Sequence, residues 1–293
     1  MDMKEAMRFW TEWYSQNAEV WDLRFALRRT ALYQQLVRRA QMAPGSRVLD
    51  VGTGTGDAAM QALQAVGPDG SVVGIDNAEG MLGVARTKVE RLAAGTIEFQ
   101  LMDLSRLEFP DESFDHVISS FAIYSSFPPG AGLREAYRVL RHGGKLTFSM
   151  FGKHLGASSL INQIYGTIFE RYQPGKPSEL LQRAREASAL TYLGIMRYGP
   201  LSEPSDPSAV LGFMRSVGFR DVEAAIIHHR AVFSTIDEFV EDRSLLFFPI
   251  VYAEMTSEAR EAFMEECRTS MQPLSSDGGL VVEVEVMFYR GTK

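Results

Sequence analysis

Short apolar segments alternate with longer amphipathic segments through the first half of the chain. The apolar segments are Arg47–Val51, Ser71–Asp76, residues 96–103, residues 114–122 and a fifth that follows Gly143-Gly144. Apolar runs of this length favour buried strands, and the amphipathic segments between them favour helices. Strands that alternate with helices predict a parallel sheet with right-handed crossovers.

Helices are predicted on both sides of this region. Residues 1–40 combine charged and aromatic side chains at helical spacing and contain all three tryptophans, and Pro44-Gly45 ends the segment. After the fifth strand, residues 156–198 are rich in helix formers, and a Pro/Gly cluster around Gly175 divides them into two helices.

The last third of the chain returns to strands. Its glycine and proline content marks residues 199–207 as a linker. The elements predicted after it are helices at 208–217, 235–246 and 256–271 and strands at 221–233 and 280–289. The final strand alternates strongly between apolar and polar positions, which is typical of a strand that closes a sheet.

These elements suggest four segments. We expect a helical lid at 1–40, a sheet core at 41–152, a helical cap at 153–205 and a C-terminal part at 206–293 that completes the sheet and adds helices. A chain of 293 residues is long enough for one large α/β domain with a cap, or for two small domains.

A glycine-rich turn follows the first strand. Gly52, Gly54 and Gly56 allow close approach of a ligand to the backbone, and the following helix directs its first N–H groups there. The dinucleotide pattern G-x-G-x-x-G would place a glycine at position 57, where the chain has Asp57. A phosphate-binding loop would need a lysine after the last glycine. The remaining interpretations are a G-x-G-x-G turn preceded by an acid, here Asp50, and a turn without a ligand.

Acidic residues end the next two strands. Asp76 closes the second strand about 20 residues after the glycines, the spacing at which an acid meets ribose hydroxyls in doubly wound folds. A carboxylate suits this role because it can accept two hydroxyl hydrogen bonds at once. Asp103 closes the third strand.

The motif Val48-Leu49-Asp50-Val51-Gly52-x-Gly-x-Gly, followed by these strand ends, resembles the class I S-adenosylmethionine (SAM)-dependent methyltransferases. The likeness extends over roughly residues 10–293, and its specific motifs lie within 47–151. It implies a Rossmann-like α/β fold with a seven-stranded, mostly parallel sheet whose last strand is antiparallel, together with N-terminal helices and a helical cap. It is nearest to the broad group of quinone-biosynthesis and natural-product methyltransferases.

The same resemblance implies a set of residues that bind SAM. Asp76 would accept from the ribose and Asp103 from the adenine amino group, with Leu104 beside it. The full set that the resemblance implies is Tyr14, Asp50, Gly52, Thr53, Gly54, Gly56, Asp76, Asn77, Met81, Asp103, Leu104, Ser119, Ser120 and Phe121. Within it, Ser119 to Phe121 face the methionine part of SAM, and Tyr14 belongs to an N-terminal element that folds over the cofactor.

A general base is harder to identify. Many relatives carry a histidine shortly after the fourth strand, where this chain has Tyr124. Weak candidates are therefore Tyr124, His154 and His228. Strand alternation directs His228 and its neighbour His229 to opposite faces, and a structural or surface role is the favoured interpretation of both.

Two other groups of polar residues are predicted to be solvated. His116 and His142 fall next to predicted turns, and the pairs Arg28-Arg29 and Arg38-Arg39 flank one predicted helix.

The aromatic and methionine side chains of the cap allow two interpretations, a hydrophobic acceptor pocket or simple core packing. They are Tyr165, Phe169, Tyr172, Tyr192, Met196 and Tyr198.

Composition and charge narrow the classes of partner. A net charge of −7 argues against a general nucleic-acid binder. The single Cys267 excludes an internal disulfide and a cysteine metal cluster, and no metal is expected, because methyl transfer from a sulfonium needs none. The charged N-terminus and the lack of a long apolar run predict a cytoplasmic protein without a membrane segment. We expect a monomer or homodimer.

Three hypotheses about function follow. The first is methyl transfer from SAM, which becomes S-adenosylhomocysteine, to a small, apolar or aromatic metabolite. The second keeps SAM but replaces methylation by a rearrangement such as a cyclisation, which the tyrosine at position 124 mildly favours. The third is a non-catalytic partner subunit on a methyltransferase scaffold, and the intact glycine turn and strand-end acids argue against it.

Overall fold

The computed structural model describes residues 1–90, 96–198, 206–247, 249–277 and 279–293. It contains a seven-stranded sheet with the order β3-β2-β1-β4-β5-β7-β6. The strands are β1 (Arg47–Val51), β2 (Ser71–Asp76), β3 (Thr96–Leu101), β4 (Phe114–Ser120), β5 (Leu140–His154), β6 (Arg220–Phe233) and β7 (Leu280–Thr292). The order reverses direction between β1 and β4, which is the point where doubly wound sheets bind ligands.

The strand directions confirm the predicted fold class. Parallel pairing joins β1 to β2 and β4, β2 to β3, and β4 to β5. Two hydrogen bonds show that β7 runs antiparallel to β5. Gly143 N, near the start of β5, donates to Lys293 O after the end of β7, and Leu155 N, after the end of β5, donates to Glu283 O near the start of β7. The strongly alternating final segment is therefore the antiparallel strand that the sequence predicts.

Twelve α-helices are present in the described residues. They are α1 (Met3–Gln16), α2 (Ala18–Trp21), α3 (Thr30–Ala40), α4 (Asp57–Val66), α5 (Glu79–Glu90), α6 (Ala131–Val139), α7 (Ala157–Arg171), α8 (Glu179–Tyr198), α9 (Pro207–Val217), α10 (Ile236–Phe247), α11 (Pro249–Glu254) and α12 (Ser257–Met271). The predicted N-terminal helical segment is interrupted by a π-helical turn at Asp22–Ala26 and a 3-10 turn at Leu27–Arg29.

One strand boundary and one helix differ from the sequence prediction. Strand β5 already begins at Leu140, and the predicted double-glycine turn is an irregularity within it, where the partner of β4 shifts from Leu140 to Lys145. Gly143 makes this possible with φ of +79°. Helix α11 was not predicted. It begins at Pro249, because proline lacks only an N–H that the first turn does not need.

The chain forms two compact units. The sheet unit comprises Asp2–Phe151, Ala187–Ile226 and Val286–Lys293. The helical unit comprises Met1, Gly152–Glu186 and Ile227–Glu285. The core of the sheet unit is apolar on both sides of the central strands and includes the fully buried Leu49, Val117 and Phe148. Such burial explains the continuous apolar runs of β1, β2 and β4.

The helical unit has an aromatic core. Tyr165, Phe169, Phe239 and Phe263 are buried, with ring centroids 5.7 to 6.1 Å apart. Of the two interpretations of the cap aromatics, core packing therefore applies to Tyr165 and Phe169. The side chains of Tyr192, Met196 and Tyr198 lie outside the described residues, as does most of the predicted linker, residues 199–205.

Candidate active site

The glycine turn after β1 is shaped by its neighbours. Gly52, Gly54 and Gly56 have φ of +69°, +56° and +85°. A Cβ at Gly52 would overlap the Cβ of Ala122, which follows β4, and one at Gly56 would come within 2.9 Å of the Phe99 ring. No atom lies within 4 Å of a Cβ placed at Gly54. The turn is thus pressed against the protein at both ends and open at its centre.

The open centre of the turn is joined to the end of β2. Gly54 N donates to Asp76 Oδ2 at 2.9 Å, and Ala78 N donates to Asp76 Oδ1 at 3.0 Å. Each carboxylate oxygen keeps a second lone pair for another donor. Burial raises the pKa of Asp76, and the backbone N–H groups oppose this shift. The arrangement can accept a pair of hydroxyl groups, as the sequence interpretation requires.

Asp50 lies beneath the turn. Its side chain is fully buried, and Thr53 Oγ1 donates to its Oδ2 at 2.7 Å. Burial raises its pKa to about 7, the hydrogen bond from Thr53 opposes the shift, and the charge of Asp76 adds to it. The hydrogen bond between Thr53 and Asp50 connects the glycine turn to the buried end of β1. A second hydrogen bond, from Thr53 N to Ile75 O at 2.8 Å, connects the turn to β2.

The end of β3 lies next to the end of β2. Met102 N donates to Asp76 O at 3.0 Å, which places Asp103 beside Asp76 along the sheet edge. The Asp103 carboxylate is exposed and accepts from Ser105 N at 2.7 Å. Leu104 is half-buried against the backbone of Gly132. The second and third predicted strand-end acids are thus neighbours.

Three residues at the end of β4 differ in their contacts and backbone conformation. Ser119 is buried, its hydroxyl donates to Val51 O at 2.8 Å, and it accepts from Ile123 N at 3.0 Å, so it joins the ends of β1 and β4. The buried hydroxyl of Ser120 has no hydrogen-bond partner among the described residues. Phe121 adopts φ of +59°, which is unusual for a large side chain. Backbone strain of this kind is concentrated at functional sites.

The N-terminal helices pack onto the start of α5. Gly80 N donates to Ser15 Oγ at 2.6 Å, and a side chain at Gly80 would overlap the backbone of Ser15. Met81 is buried in a small cluster with Ala18 and Ala78, whereas Asn77 is exposed.

Tyr14 lies at the end of α1 near Asp76. Its ring packs edge-on against Trp21 with centroids 5.3 Å apart. Although the side chain is 36% exposed, its partial burial raises the pKa of Tyr14, the charge of Arg29 opposes this shift, and the charge of Asp76 adds to it. Tyr14 precedes Ser15, whose Oγ accepts from Gly80 N, so the end of α1 packs onto the residues that follow Asp76.

The sequence predicted that Arg29 is a solvated charge, and the structure shows that this prediction was wrong. Its guanidinium lies 5.3 Å from the Trp21 ring centroid, 5.4 Å from Phe121 and 5.3 Å from Phe151. Phe121 and Phe151 stack on each other at 4.0 Å. Sequence reasoning missed this residue because its partners lie in distant strands, although its position in an aromatic-rich segment was a signal.

Within the sheet unit, an ionic cluster joins the N-terminal segment to helices α4 and α5. Lys88 Nζ lies 2.7 Å from Asp22 Oδ1 in the π-helical turn and 2.7 Å from Asp57 Oδ2 at the start of α4. Tyr33 is close to the same charges. Burial raises its pKa to about 12, Arg29 opposes the shift, and Asp57, Asp50 and Asp22 add to it.

The candidate bases are dispersed. Tyr124 is half-buried and packs against the apolar core of the sheet unit. His154 belongs to the helical unit, where burial and the charge of Arg243 lower its pKa. His228 is exposed and its neighbour His229 is half-buried, as alternation predicts.

The two remaining histidines differ from each other. His116 lies within β4 and is only 7% exposed, so the prediction of a solvated position was wrong. It is the third residue of β4, a central strand that is covered on both faces, so nearness to a turn does not expose it. Burial lowers its pKa. His142 is exposed, as predicted, and its Nε2 lies 3.1 Å from Glu112.

Comparison with known proteins places this arrangement in a family. A family model described as a methyltransferase domain matches residues 48–144. The ubiquinone/menaquinone biosynthesis C-methyltransferase UbiE of Geobacter sulfurreducens is 34% identical over 188 residues, which cover 63% of this chain and 69% of the relative. The chain belongs to the class I SAM-dependent methyltransferases. SAM is the cofactor of this family, and the described residues of this methyltransferase include no cluster suited to a metal ion.

Two further comparisons show similarity over part of the chain and in the fold. The arsenite methyltransferase of Halobacterium salinarum is 40% identical over 110 residues, covering 38% of this chain but only 28% of the relative. The solved phosphoethanolamine N-methyltransferase 2 of Haemonchus contortus, in complex with phosphomonomethylethanolamine and S-adenosylhomocysteine, has a TM-score of 0.51 and 20% identity. That match covers 90% of this methyltransferase and 52% of the other chain and shows the fold. None of the described helices is long and apolar enough to cross a membrane.

Proposed function

We propose that this protein transfers the methyl group of SAM to a small, apolar or aromatic acceptor at the carboxyl ends of β1, β2 and β4. The observation that carries the proposal is the hydrogen bond from Gly54 N to Asp76 Oδ2. It joins the open glycine turn to an acid that can still accept two hydroxyl groups. A nucleoside bound there would have its ribose on Asp76 and its amino acid part along the turn.

The donor would lie across neighbouring strand ends. Asp76 would accept from the ribose hydroxyls, and Asp103 with Leu104 would hold the adenine. The adjacency of the two acids through Met102 N supports this order. The turn and the segment from Ser120 to Phe121 would face the methionine part. Tyr14 would cover the donor, because the end of α1 packs onto the start of α5, just after Asp76.

The protein's contribution to the chemistry is alignment and exclusion of water. In an in-line displacement the acceptor would form a bond to the methyl carbon as the carbon–sulfur bond breaks. The electron pair of that bond would stay on sulfur, which becomes a neutral thioether, and the acceptor would release its displaced proton to solvent. SAM supplies the activated methyl group, so alignment of the reacting atoms provides much of the acceleration. The aromatic lid residues Tyr14 and Trp21 would keep water from the reacting atoms.

The acceptor is expected to have a flat apolar surface. Phe121 and Phe151, at the ends of β4 and β5, stack with an interplanar angle of 15° and remain partly exposed. The relative from Geobacter sulfurreducens is called a C-methyltransferase of ubiquinone/menaquinone biosynthesis. The stacked rings support an aromatic or quinone-like acceptor, and the name of the relative supports carbon as the methylated atom. The ring oxygens of such an acceptor can activate the ring carbon themselves. The reaction would then not need the histidine that many relatives carry where this chain has Tyr124.

Product analysis tests this proposal. The purified protein is incubated with SAM and a panel of hydroquinones and phenols, and S-adenosylhomocysteine and methylated product are quantified by mass spectrometry. Equal amounts of both products are expected with at least one acceptor. Conversion of an acceptor without S-adenosylhomocysteine would favour a SAM-supported rearrangement. Failure to bind either SAM or S-adenosylhomocysteine would overturn the proposal. The cytoplasmic location and the monomer or homodimer state remain predictions from the sequence.

A further inference from the structure

Three hydroxyl groups on one face of strands β4 and β5 have no hydrogen-bond partner within the part of the chain that the structure describes. They belong to Ser120 on β4 and to Thr147 and Ser149 on β5. Thr147 and Ser149 are no more than 1% exposed, and the hydroxyl oxygen of Ser120 is also buried. Buried hydroxyl groups are nearly always hydrogen-bonded, either to protein or to ordered water. These three groups therefore need partners from outside the described residues.

The strand register brings two of these hydroxyl groups together. Ser120 and Ser149 are Cα partners in the parallel pairing of β4 with β5, and Thr147 pairs with Ile118 one row deeper in the sheet. Paired residues of adjacent strands point to the same face of a sheet, and so do residues two apart on one strand. Ser120 and Ser149 therefore form a pair of neighbouring hydroxyl groups at the carboxyl end of β4.

This hydroxyl pair differs from the serine that precedes it in β4. Ser119 points to the opposite face, where its hydroxyl donates to Val51 O and accepts from Ile123 N. Its hydrogen bonds are used to connect the ends of two strands. The hydroxyl pair makes no such connection within the described residues, so both of its donors and its acceptor lone pairs are available to a bound molecule.

Two aromatic rings lie directly beyond the hydroxyl pair along the strands. Phe121 follows Ser120, and Phe151 lies two residues after Ser149, on the same face of β5. The two rings stack with their centroids 4.0 Å apart, and both remain partly exposed. The ends of β4 and β5 thus combine a flat apolar surface with a pair of buried hydroxyl groups.

We propose that Ser149 and Ser120 bind an oxygen atom of the acceptor, a hydroxyl or carbonyl group carried by its aromatic ring. The inference rests on the proposed function and names the residues that recognise the acceptor. Two serine hydroxyls can both donate to a carbonyl oxygen, or one can donate to a ring hydroxyl while the other accepts from it. Thr147 lies deeper in the sheet, where an ordered water would be its partner.

The position of the hydroxyl pair suits the direction of methyl transfer. The segment from Ser120 to Phe121 would also face the methionine part of SAM. An acceptor whose ring oxygen is held by the pair would therefore have the neighbouring ring carbon close to the methyl group. Fixing one atom of the acceptor in this way limits its rotation on the flat surface of the phenylalanine rings and contributes to alignment.

The hydroxyl pair should make a ring oxygen a condition for tight binding. A ligand of the same shape with a methyl group in place of the ring hydroxyl would leave both serines without partners and would lose affinity. The probes 1-naphthol and 1-methylnaphthalene form such a pair. Both are flat and similar in size, and only 1-naphthol carries a ring oxygen.

Equilibrium dialysis of the full chain, saturated with S-adenosylhomocysteine, tests the inference. Wild-type protein should bind 1-naphthol at least about 10-fold more tightly than 1-methylnaphthalene. Ser149→Ala should weaken 1-naphthol about 3- to 30-fold, because it removes a hydrogen bond to a buried neutral group, and should change 1-methylnaphthalene less than about twofold. Ser149→Cys keeps a weak donor and should lie between wild type and Ser149→Ala. Thr147→Val removes a buried hydroxyl one row deeper and is the matched control, which should bind both probes like wild type.

The outcomes separate the inference from the function on which it rests. If wild type does not bind S-adenosylhomocysteine, the proposed function itself fails. If wild type binds S-adenosylhomocysteine but does not bind 1-naphthol, or binds the two probes equally, the inference is overturned and the proposed function stands. Equal weakening of both probes by Ser149→Ala, or a matching loss of S-adenosylhomocysteine affinity, would also overturn it, because Ser149 would then support the site without recognising a ring oxygen.

Discussion

A buried carboxylate beneath the glycine turn makes the stability of the protein depend on pH. Burial raises the pKa of Asp50 to about 7, well above the ordinary value of 3.8 that it regains on unfolding. Between these values the folded chain holds a proton that the unfolded chain releases. The free energy of unfolding therefore falls as pH rises through this range, by about 1.4 kcal/mol per pH unit and about 4 kcal/mol in all.

Substitution Asp50→Asn should remove this dependence. The amide oxygen can still accept from Thr53, and no charge has to be buried. We expect the variant to gain stability over wild type progressively from pH 4 to pH 7, measured by urea unfolding at each pH. The exposed Asp69, changed to Asn, is the control and should follow wild type. Parallel pH curves for wild type and Asp50→Asn would contradict the prediction.

At the end of β2 we predict that Asp76→Ala removes most of the affinity for S-adenosylhomocysteine. The substitution deletes two proposed ribose acceptors and also the acceptor of Gly54 N, so the turn loses its anchor. A loss of at least about 100-fold is expected, because charge-assisted hydrogen bonds contribute about 1.5–3 kcal/mol each. Calorimetry measures this directly. Unchanged affinity would refute the assignment of Asp76.

A matched pair of variants separates ribose binding from turn anchoring. Asp76→Asn keeps an acceptor for Gly54 N but offers fewer lone pairs to the ribose, so an intermediate loss is expected. Asp115→Asn changes an acid in the same sheet whose partners, Arg47 N and Arg141, lie at the opposite end of β1 and β4. It should leave the affinity unchanged.

Single residues differ in how far the sequence alone can place them. Asp50 and Asp76 were predictable because a strand end fixes their position from local pattern. The prediction of a solvated His116 was wrong because β4, which begins at Phe114 as predicted, is a central strand that is buried on both faces. Arg29 could not be assigned, because the rings that hold it come from strand ends far along the chain. Local pattern sets the position of a residue but not its distant partners.

At the scale of elements, an ionic cluster connects the N-terminal segment, the predicted lid, to helices α4 and α5. Lys88 on α5 joins Asp22 in the π-helical turn to Asp57 at the start of α4 and is only 22% exposed. Without the ammonium group these two acids would be left without this shared counter-charge. The cluster therefore holds the lid against the element that follows the glycine turn.

We predict that Lys88→Met loosens the lid. Methionine keeps most of the apolar stem and loses the charge, so the change reports the ion pairs more than the packing. Hydrogen exchange of residues 1–40 should become faster, and the affinity for S-adenosylhomocysteine should fall about 3- to 30-fold, in keeping with about 1–2 kcal/mol for partly buried pairs. Arg86→Met is the control, because its partners, Glu79 on the same helix and Phe99 O on β3, both lie outside the N-terminal segment. Unaltered exchange in the lid would contradict the prediction.

Most elements were predictable, and the exceptions have physical causes. The parallel strands follow from apolar runs bounded by turn residues, and the antiparallel strand β7 follows from its alternation. The start of β5 was missed because a glycine with positive φ continues the strand as a bulge. Helix α11 was missed because a proline in an apolar run can end one helix or begin another.

Across the whole molecule, the residues proposed to bind SAM belong to the sheet unit, whereas the aromatic core at Phe263 belongs to the helical unit. Phe263 is fully buried and contacts the rings of Phe169 at 5.8 Å and Tyr165 at 5.9 Å. We predict that Phe263→Leu lowers the free energy of unfolding by about 1–3 kcal/mol, because the smaller side chain leaves a cavity. The affinity of the folded protein for S-adenosylhomocysteine should change less than about threefold. Thermal unfolding and calorimetry at a temperature where the variant is folded measure the two effects, and Leu160→Ala, an exposed position on α7, should change neither. A large loss of affinity in folded Phe263→Leu would contradict the assignment of the SAM site to the sheet unit alone.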